Sequence, residues 1–380
     1  MNCNMRPIQM VDTKSQYLKI KSAVDIAIHE VLDSAAYING KPVQDFTAAL
    51  NTYQGSAHTI TCGNGTDALQ IAMMALDLQP GDEVITPSYT YIATTEVVAL
   101  LKLKPVFVEV DPKTFCIDPV SVRNAITPKT QAIVPVHLYG HAAPMEEIMQ
   151  IAAEFGLYVI EDNAQAIGCD YTFLDGSKKK TGSIGTVGAT SFYPSKNLGA
   201  YGDGGAIFTN DASLAQKMKM IANHGQQTRY YHEMVGCNSR LDSMQAAVLN
   251  IKLKQLDDYT NARQNAANFY NNAFAGNEKI TVPYVAPYST HVYHQYTLQL
   301  HNVNRDALSA YLAEKKIPSM IYYPVPGHRQ KMFSGFDLPP VDLTITDWLT
   351  ERVISLPMHT EMDQEQLSYI TENVLNFINN

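Results

Sequence analysis

The sequence predicts an α/β fold with a mainly parallel central sheet covered by helices on both faces, followed by a smaller C-terminal α+β domain. Three observations carry this expectation. Through the first two-thirds of the chain, short apolar runs alternate with helical patterns of about ten residues, the rhythm of strand–helix–strand crossovers. The runs are apolar throughout, as strands buried on both faces must be. Near Leu241 that rhythm gives way to a long helical stretch and then a mixed pattern.

Strands are expected at His58–Cys62, Glu83–Pro87, Pro105–Val110, Gln131–Val136 and Leu157–Glu161. Between them lie helical segments at Asp67–Leu76, Thr95–Leu103, Pro119–Ile126 and Met145–Phe155. Val84, Ile85, Ile133, Val134, Val159 and Ile160 are then core residues. Two further strand-like runs, Gly188–Phe192 and Gly205–Thr209, flank a turn that carries Lys196. From Asp242 to Asn272 a helical stretch places apolar side chains at Met244, Val248, Ile251, Leu253 and Leu256. The remainder reads as strand Val292–Leu300, helix Arg305–Lys315, strand Ser319–Tyr323, and helices near Thr346–Val353 and Gln364–Ile378. The chain thus divides into a large α/β domain over 1–245 and a small α+β domain over 246–380. Lys178-Lys179-Lys180, flanked by Gly176 and Gly182, reads as a solvated hairpin tip.

The bulk numbers remove several function classes. At 380 residues, 46% hydrophobic and 17% charged, the chain has the composition of a globular protein with a large core. A net charge of −9 argues against nonspecific nucleic-acid binding, and it means that an anionic substrate must be met by locally concentrated cations. No apolar run reaches the roughly 18 residues of a membrane span, and no apolar signal region follows the first residues, so neither a span nor a signal peptide is expected and a cytoplasmic location is. The five cysteines (3, 62, 116, 169 and 237) are odd in number and lack CxxC spacing, which favours reduced thiols over a disulfide framework or a metal site.

Four segments carry chemistry. Gly63-Asn64-Gly65-Thr66-Asp67 joins a strand to a helix, where close backbone approach and free N–H groups suit an anion; Thr66 or Asp67 serves equally as a plain N-cap. Glu161-Asp162-Asn163-Ala164-Gln165 ends a buried parallel strand, the usual place for ligands in open α/β sheets, although the acids also suit a turn cap. Of the pair, Asp162 is the acid expected to face a cofactor nitrogen. Ser191 and Lys196 lie on the turn before Gly202-Asp203-Gly204-Gly205. A lysine buried there has a lowered pKa and a nucleophilic amine, and near a buried acid it suits pyridoxal phosphate (PLP) chemistry, whereas an exposed turn lysine does nothing special. Asn238 and Arg240 open the long helix, where Arg240 can hold a carboxylate or phosphate bidentately, or both residues can be caps and surface charge.

Taken in order, GNGTDAL, PSYTYIAT, EDNAQA, TSFYPSKNLG, GDGGAIFTND and NSRLDSMQAA resemble the motifs of the PLP-dependent sugar-nucleotide aminotransferases of aminotransferase fold type I, and the resemblance spans essentially the whole chain. It implies that Lys196 is the Schiff-base lysine and proton shuttle, that Asp162 pairs with the pyridine nitrogen, and that Gln165 lies near the ring hydroxyl. It further implies that Gly65, Thr66 and Ser191 hold the cofactor phosphate, that Tyr91 stacks on the ring, and that Asn238 reaches the phosphate from the neighbouring subunit of a homodimer. Where members of the family often carry His after EDxAQA, this chain has Ile167, and Ile321-Tyr322-Tyr323-Pro324 has tyrosine where some members have histidine.

Within the family the chain looks most like enzymes that aminate C3 of a UDP-2-acetamido-2-deoxy-3-keto-hexuronate for cell-surface polysaccharide (lipopolysaccharide, O-antigen) biosynthesis. The resemblance implies L-glutamate as amino donor and places Arg240 against the sugar carboxylate. Further sugar contacts are expected among Arg229, Tyr230, Tyr322, Tyr323, His328 and Arg329. The alternatives are a 3- or 4-keto-6-deoxy dTDP-, UDP- or GDP-sugar, a PLP-dependent dehydratase, or a non-catalytic regulator. Lys196 counts against the dehydratase, because such relatives replace the lysine.

Overall fold

The computed structural model describes residues 5–338 and 341–380, so Cys3 lies outside the described residues. Two helices lead, α1 (Thr13–Ser34) and α2 (Lys41–Gln54). Then follow β1 (His58–Cys62), α3 (Gly65–Ala75), β2 (Glu83–Pro87), α4 (Ala93–Leu100), β3 (Lys104–Val108), α5 (Pro119–Ala125), β4 (Thr130–Ile133), α6 (Met145–Phe155) and β5 (Tyr158–Asp162). A short hairpin, β6 (Asp170–Thr172) and β7 (Lys178–Lys180), precedes β8 (Val187–Ser191), β9 (Gly205–Thr209) and α7 (Ala212–Ile221). The rest comprises α8 (Ser243–Leu253), α9 (Leu256–Phe274), β10 (Ile280–Thr281), β11 (Tyr296–Leu300), α10 (Arg305–Glu314), α11 (Thr344–Thr350), β12 (Val353–Leu356) and α12 (Gln364–Asn379).

The main sheet has seven strands in the order β1-β9-β8-β5-β4-β2-β3. From β8 to β3 neighbouring strands run parallel, and β9 runs antiparallel to both β1 and β8. Val84, Ile85, Ile133, Val134, Val159 and Ile160 are all fully buried, because helices cover both faces. Leu69, Ile71, Val97 and Met218 pack on one face with Val187 and Ile207, and Val122, Ile148 and Ile151 pack on the other with Val106 and Val159. Helix starts are fixed by side chains: Asp118, Asp211 and Asn304 cap α5, α7 and α10, and Asp363 forms a capping box with Gln366 on α12. Each such cap contributes about 1 kcal/mol. The three-stranded sheet β10-β11-β12 packs through Leu298, Leu300 and Ile354 on α9, α10 and α12.

This topology puts the chemistry on one edge of the sheet. β5 and β8 are parallel, so Asp162 and Ser191 end on the same side. Ser191 and Cys62 both face Gly205 across β9, so the loop leading into α3 emerges there too.

Several sequence expectations need correction. The stretch 242–272 is two helices, α8 and α9, broken at Lys254 and Gln255. Ser319–Tyr323 is not a strand: only Met320 bridges to Ser355, and the following residues turn into the site. Residues 292–295 are not strand: Tyr293 takes a positive φ of 45° and the Val292 and Gln295 N–H groups donate to the Gly140 and Tyr139 carbonyls, so β11 starts at Tyr296. Val353, expected at a helix end, instead opens strand β12. The lysine run forms strand β7, while the hairpin tip lies nearer Leu174.

Candidate active site

Asp162 is buried at the end of β5. Its Oδ2 accepts from Thr94 Oγ1 at 2.8 Å and its Oδ1 from the Ala164 N–H at 3.1 Å, so the carboxylate has one orientation. Its neighbour Glu161 is spent structurally. Fully buried, it accepts from the N–H groups of Gly182, Ile184 and Gly185 and lies 2.9 Å from His137 Nε2. The two adjacent acids thus have separate roles, with only Asp162 facing the site.

Lys196 follows β8 on a tight turn closed by its own N–H to the Tyr193 carbonyl. Desolvation lowers its amine to about 8, and the Asp162 charge opposes that shift. Among the described residues the amine has no hydrogen-bond partner. With that value roughly a tenth of the amine is neutral and nucleophilic at pH 7. A free, partly neutral amine beside a fixed carboxylate can bond a carbonyl carbon and move protons.

The phosphate-sized cradle is built by contact. A Cβ on Gly65 would lie 2.7 Å from the Ser191 Cβ, so only glycine admits this approach of helix to strand. Asn64 caps α3, taking only the Asp67 N–H, which leaves the first N–H groups and the positive end of the helix for an anion. Thr66 stands in that first turn with its hydroxyl unbonded among the described residues. Asp67 accepts from Ser239 Oγ at 2.6 Å, and Ser239 accepts from the Gly63 N–H at 2.8 Å, which ties the loop to the Asn238–Arg240 segment. Helix end, buried Ser191 hydroxyl, Asp162 and Lys196 on one sheet edge fit PLP.

Tyrosines frame the opposite side. Gln165 accepts from the Tyr139 N–H at 2.7 Å and donates to Tyr323 Oη at 2.9 Å. Tyr89 Oη donates to the Tyr322 carbonyl at 2.6 Å, and Tyr139 Oη donates to the same carbonyl. These bonds hold the 321–324 segment in place of a sheet ladder. The Tyr91 ring, 55% exposed, lies 6.0 Å from the Tyr323 ring and tilted by 45°. Tyr323 is therefore bonded to the cofactor-side amide as well as near the cleft.

The expected sugar contacts are placed very differently. Arg240 donates through Nη1 to Asn223 Oδ1 at 3.1 Å. Asn238 is exposed, and its side chain makes no bond among the described residues. Arg229 is exposed and stacks 4.9 Å from its neighbour Tyr230, which is itself 74% exposed. His328 is occupied: Nδ1 lies 2.7 Å from Ser88 Oγ and Nε2 3.5 Å from Asp347, which also bonds Arg329. Ile167 is buried in the apolar layer with Phe46 and Phe192, so nothing polar is added at that position.

Thr94, Tyr139 and His294 belong to the site and carry no sequence signal of it. Thr94 is 68 residues from the carboxylate it orients. His294 is buried, with Nδ1 unpartnered, and burial followed by the charges of Lys196 and Arg263 keeps its pKa well below the ordinary value. The neighbouring Asn197–Val292 contact, 2.7 Å from Nδ2 to the carbonyl, binds its segment to the Lys196 turn.

Comparison with known proteins agrees with this geometry. The sequence profile described as the DegT/DnrJ/EryC1/StrS aminotransferase family matches residues 19–375. The chain is 42% identical to a UDP-2-acetamido-2-deoxy-3-oxo-D-glucuronate aminotransferase of Pseudomonas aeruginosa, covering 97% of this chain and 100% of that protein. It is 43% identical to a protein of Geobacillus stearothermophilus named a pleiotropic regulatory protein, covering 97% and 98%. Its fold matches DesV of S. venezuelae, solved in complex with a ketimine intermediate, with a TM-score of 0.94, 38% identity and coverage of 99% and 100%.

Proposed function

We propose, for a chain that belongs to the DegT/DnrJ/EryC1/StrS aminotransferase family, that the amino acceptor of this PLP-dependent nucleotide-sugar transaminase is a UDP-2-acetamido-2-deoxy-3-keto-hexuronate aminated at C3, with L-glutamate as donor. The observation that carries the chemistry is the unbonded Lys196 amine, lowered to about 8, beside an Asp162 carboxylate held by Thr94 and Ala164.

The chain's residues divide the work. Gly65, Thr66 and Ser191 would hold the cofactor phosphate at the α3 N-terminus, Asp162 would pair with the ring nitrogen, and Gln165 would lie toward the ring hydroxyl. PLP, when bound, supplies an aldehyde that takes up amino groups and a ring that accepts electrons. Lys196 Nζ would hold the cofactor between turnovers, and when free it would take the proton from the donor α-carbon and, in the second half-reaction, deliver one to the sugar carbon that gains the amine. The net exchange converts glutamate and keto sugar into 2-oxoglutarate and amino sugar. Tyr91 covers the ring face.

Arg240 is the cation for a C6 carboxylate, since its guanidinium spends only Nη1 on Asn223. Arg229, Tyr322, Tyr323 and His328 are peripheral candidates, and His328 acts there through Ser88 and Asp347. The functional unit is a homodimer: Asn238 and the exposed Tyr230, Tyr231 and Val235 lie on one outward segment suited to a second copy. Among the described residues no helix is long and apolar enough to cross a membrane, and we place the enzyme in the cytoplasm with its nucleotide-sugar supply.

A regulatory role has the Geobacillus relative's name in its favour. The intact Lys196–Asp162 arrangement favours catalysis, because a regulator has no need of a free buried amine. The test is amination of a UDP-3-keto-hexuronate made in situ, against a dTDP-3-keto-6-deoxy sugar, with glutamate as donor. Faster turnover of the uronate by about tenfold or more supports the reading; preference for the 6-deoxy sugar, or no turnover of either, overturns the substrate.

A further inference from the structure

Lys252, on α8, is 1% exposed, and no carboxylate among the described residues pairs with it. Its Nζ donates to the carbonyl of Gly199 at 2.5 Å and lies 5.2 Å from the Tyr201 ring. Both targets belong to the turn that begins at Lys196. A buried lysine without a counter-ion is costly, so its retention calls for a compensating role.

The turn is also anchored by the fully buried Leu198 and Ala200 and by the Tyr201 N–H, which donates to Gln245 Oε1 of α8 at 2.9 Å, but among the described residues Lys252 is the side chain bonded to the Gly199 carbonyl. The turn is crossed by the Lys196 N–H to the Tyr193 carbonyl and the Ala200 N–H to the Phe192 carbonyl, with Asn197 tied to Val292. A Cβ on Gly199 would meet the Pro194 carbonyl at 2.3 Å, so the chain doubles back tightly between the catalytic lysine and the residue that Lys252 grips. Arg263 makes a similar attachment on α9: Nη1 donates to the Tyr293 and Met358 carbonyls at 3.0 Å. Helices α8 and α9 thus each spend a buried basic side chain on loop backbone, Lys252 on the Lys196 turn and Arg263 on Tyr293, the neighbour of the His294 that feels the Lys196 charge.

We propose that Lys252 is a positioning residue for Lys196: by holding the Gly199 carbonyl it sets where the catalytic amine stands relative to the cofactor aldehyde. The inference rests on the reading of Lys196 as the cofactor lysine. Burial, and then the nearby Arg263 charge, lowers Lys252 to about 7, and its amine donates to Gly199 whether charged or neutral.

The test separates the cradle from the amine. Pyridoxamine phosphate binds through phosphate and ring alone. PLP is captured covalently: Lys196 Nζ adds to the aldehyde carbon, the aldehyde oxygen leaves with the two amine protons as water, and a C=N bond forms. In full-length protein stripped of cofactor, Lys252→Met is expected to bind pyridoxamine phosphate within about threefold of wild type. It is expected to capture PLP, followed by its absorbance, at least about tenfold more slowly, since displacements of about 1 Å can cost up to a hundredfold. Capture at the wild-type rate, or a parallel loss of both measures, overturns the proposal. If Lys252→Met does not fold by circular dichroism, Lys252→Gln is put through the same comparison and read the same way. Failure of wild-type protein to capture PLP at all would instead discard the cofactor reading itself.

Discussion

Around Lys196 and Asp162 the polar groups are mostly buried, and each is oriented by another part of the same chain: Thr94 for Asp162, Tyr139 and Tyr323 for Gln165, Ser239 for Asp67. Around Arg240 the groups stand outward. Arg229 stacks on Tyr230, Asn238 is unbonded among the described residues, and Tyr230, Tyr231 and Val235 are 70–84% exposed. One chain therefore orients the groups around Lys196 by itself, whereas the groups proposed to meet the sugar are laid out on a surface. The reaction type rests on the fixed groups, and the proposed choice of sugar on the exposed ones. Fixed geometry limits chemistry to amine and proton transfer, while the outward side chains of the rim are not held by partners of this kind.

The hardest blow to the reacting half is Lys196→Ala, which should lower turnover by at least about 10,000-fold, because one residue supplies both covalent hold and proton transfer. A clean preparation measured in both half-reactions should show the loss in each. Turnover near wild type would break the comparison at its stronger end. Next is Asp162→Asn, expected to cost about a hundredfold or more in both half-reactions equally, since the ring is the shared electron acceptor. A loss confined to the sugar half-reaction would assign Asp162 to the substrate.

The selecting half predicts an asymmetric loss. Arg240→Ala should lower kcat/KM for a keto-uronate by about 10- to 100-fold, the worth of a charge-assisted bond, while leaving the glutamate half-reaction within about twofold. Arg229→Ala, which removes an exposed side chain stacked on its own neighbour, should change either by less than about threefold. If Arg229→Ala proves the more damaging of the two, the carboxylate contact belongs on the 226–236 segment.

How much of this was legible follows the same division. The buried strands announced themselves as unbroken apolar runs, and Asp162, Lys196 and Gly65 stood at their ends where the topology demands a ligand. What the sequence hid depends on distant partners. The break at Lys254–Gln255 falls on residues with good helix propensity, and only packing of α8 and α9 against different layers reveals it. Met320–Tyr323 has strand composition, yet its Tyr322 carbonyl is taken by Tyr89 and Tyr139 from the other domain. Helix α1 buries only Gln16, Val24 and Val31, too sparse a stripe to read as a period, whereas α2 buries Val43, Phe46 and Leu50 at helical spacing. Thr94 illustrates the limit best: a hydroxyl that orients the key acid looks, locally, like any threonine in a helix.

The smallest expected effect concerns stability and probes what the finished half costs the fold. In cofactor-free protein, Lys196 titrates at about 8 when folded against an ordinary 10.5 when unfolded. Above 10.5 both states carry a neutral amine and its burial carries no ionisation cost. As pH falls from 10.5 to about 8 the unfolded chain takes the proton first, so stability drops across that window; below it both states are charged and the whole cost remains. Lys196→Met removes the amine. Cofactor-free Lys196→Met should therefore unfold at higher urea than wild type at pH 7, with the gap shrinking as pH rises through 8 to 10.5. The gap should be modest, because the Lys196 side chain is only partly buried by its surface area. A gap that stays constant over that range would mean that Met gains by packing alone. A variant less stable than wild type at pH 7 would mean that the free amine is held by bonds within the fold, and the contrast between the two halves of the site would lose its energetic basis.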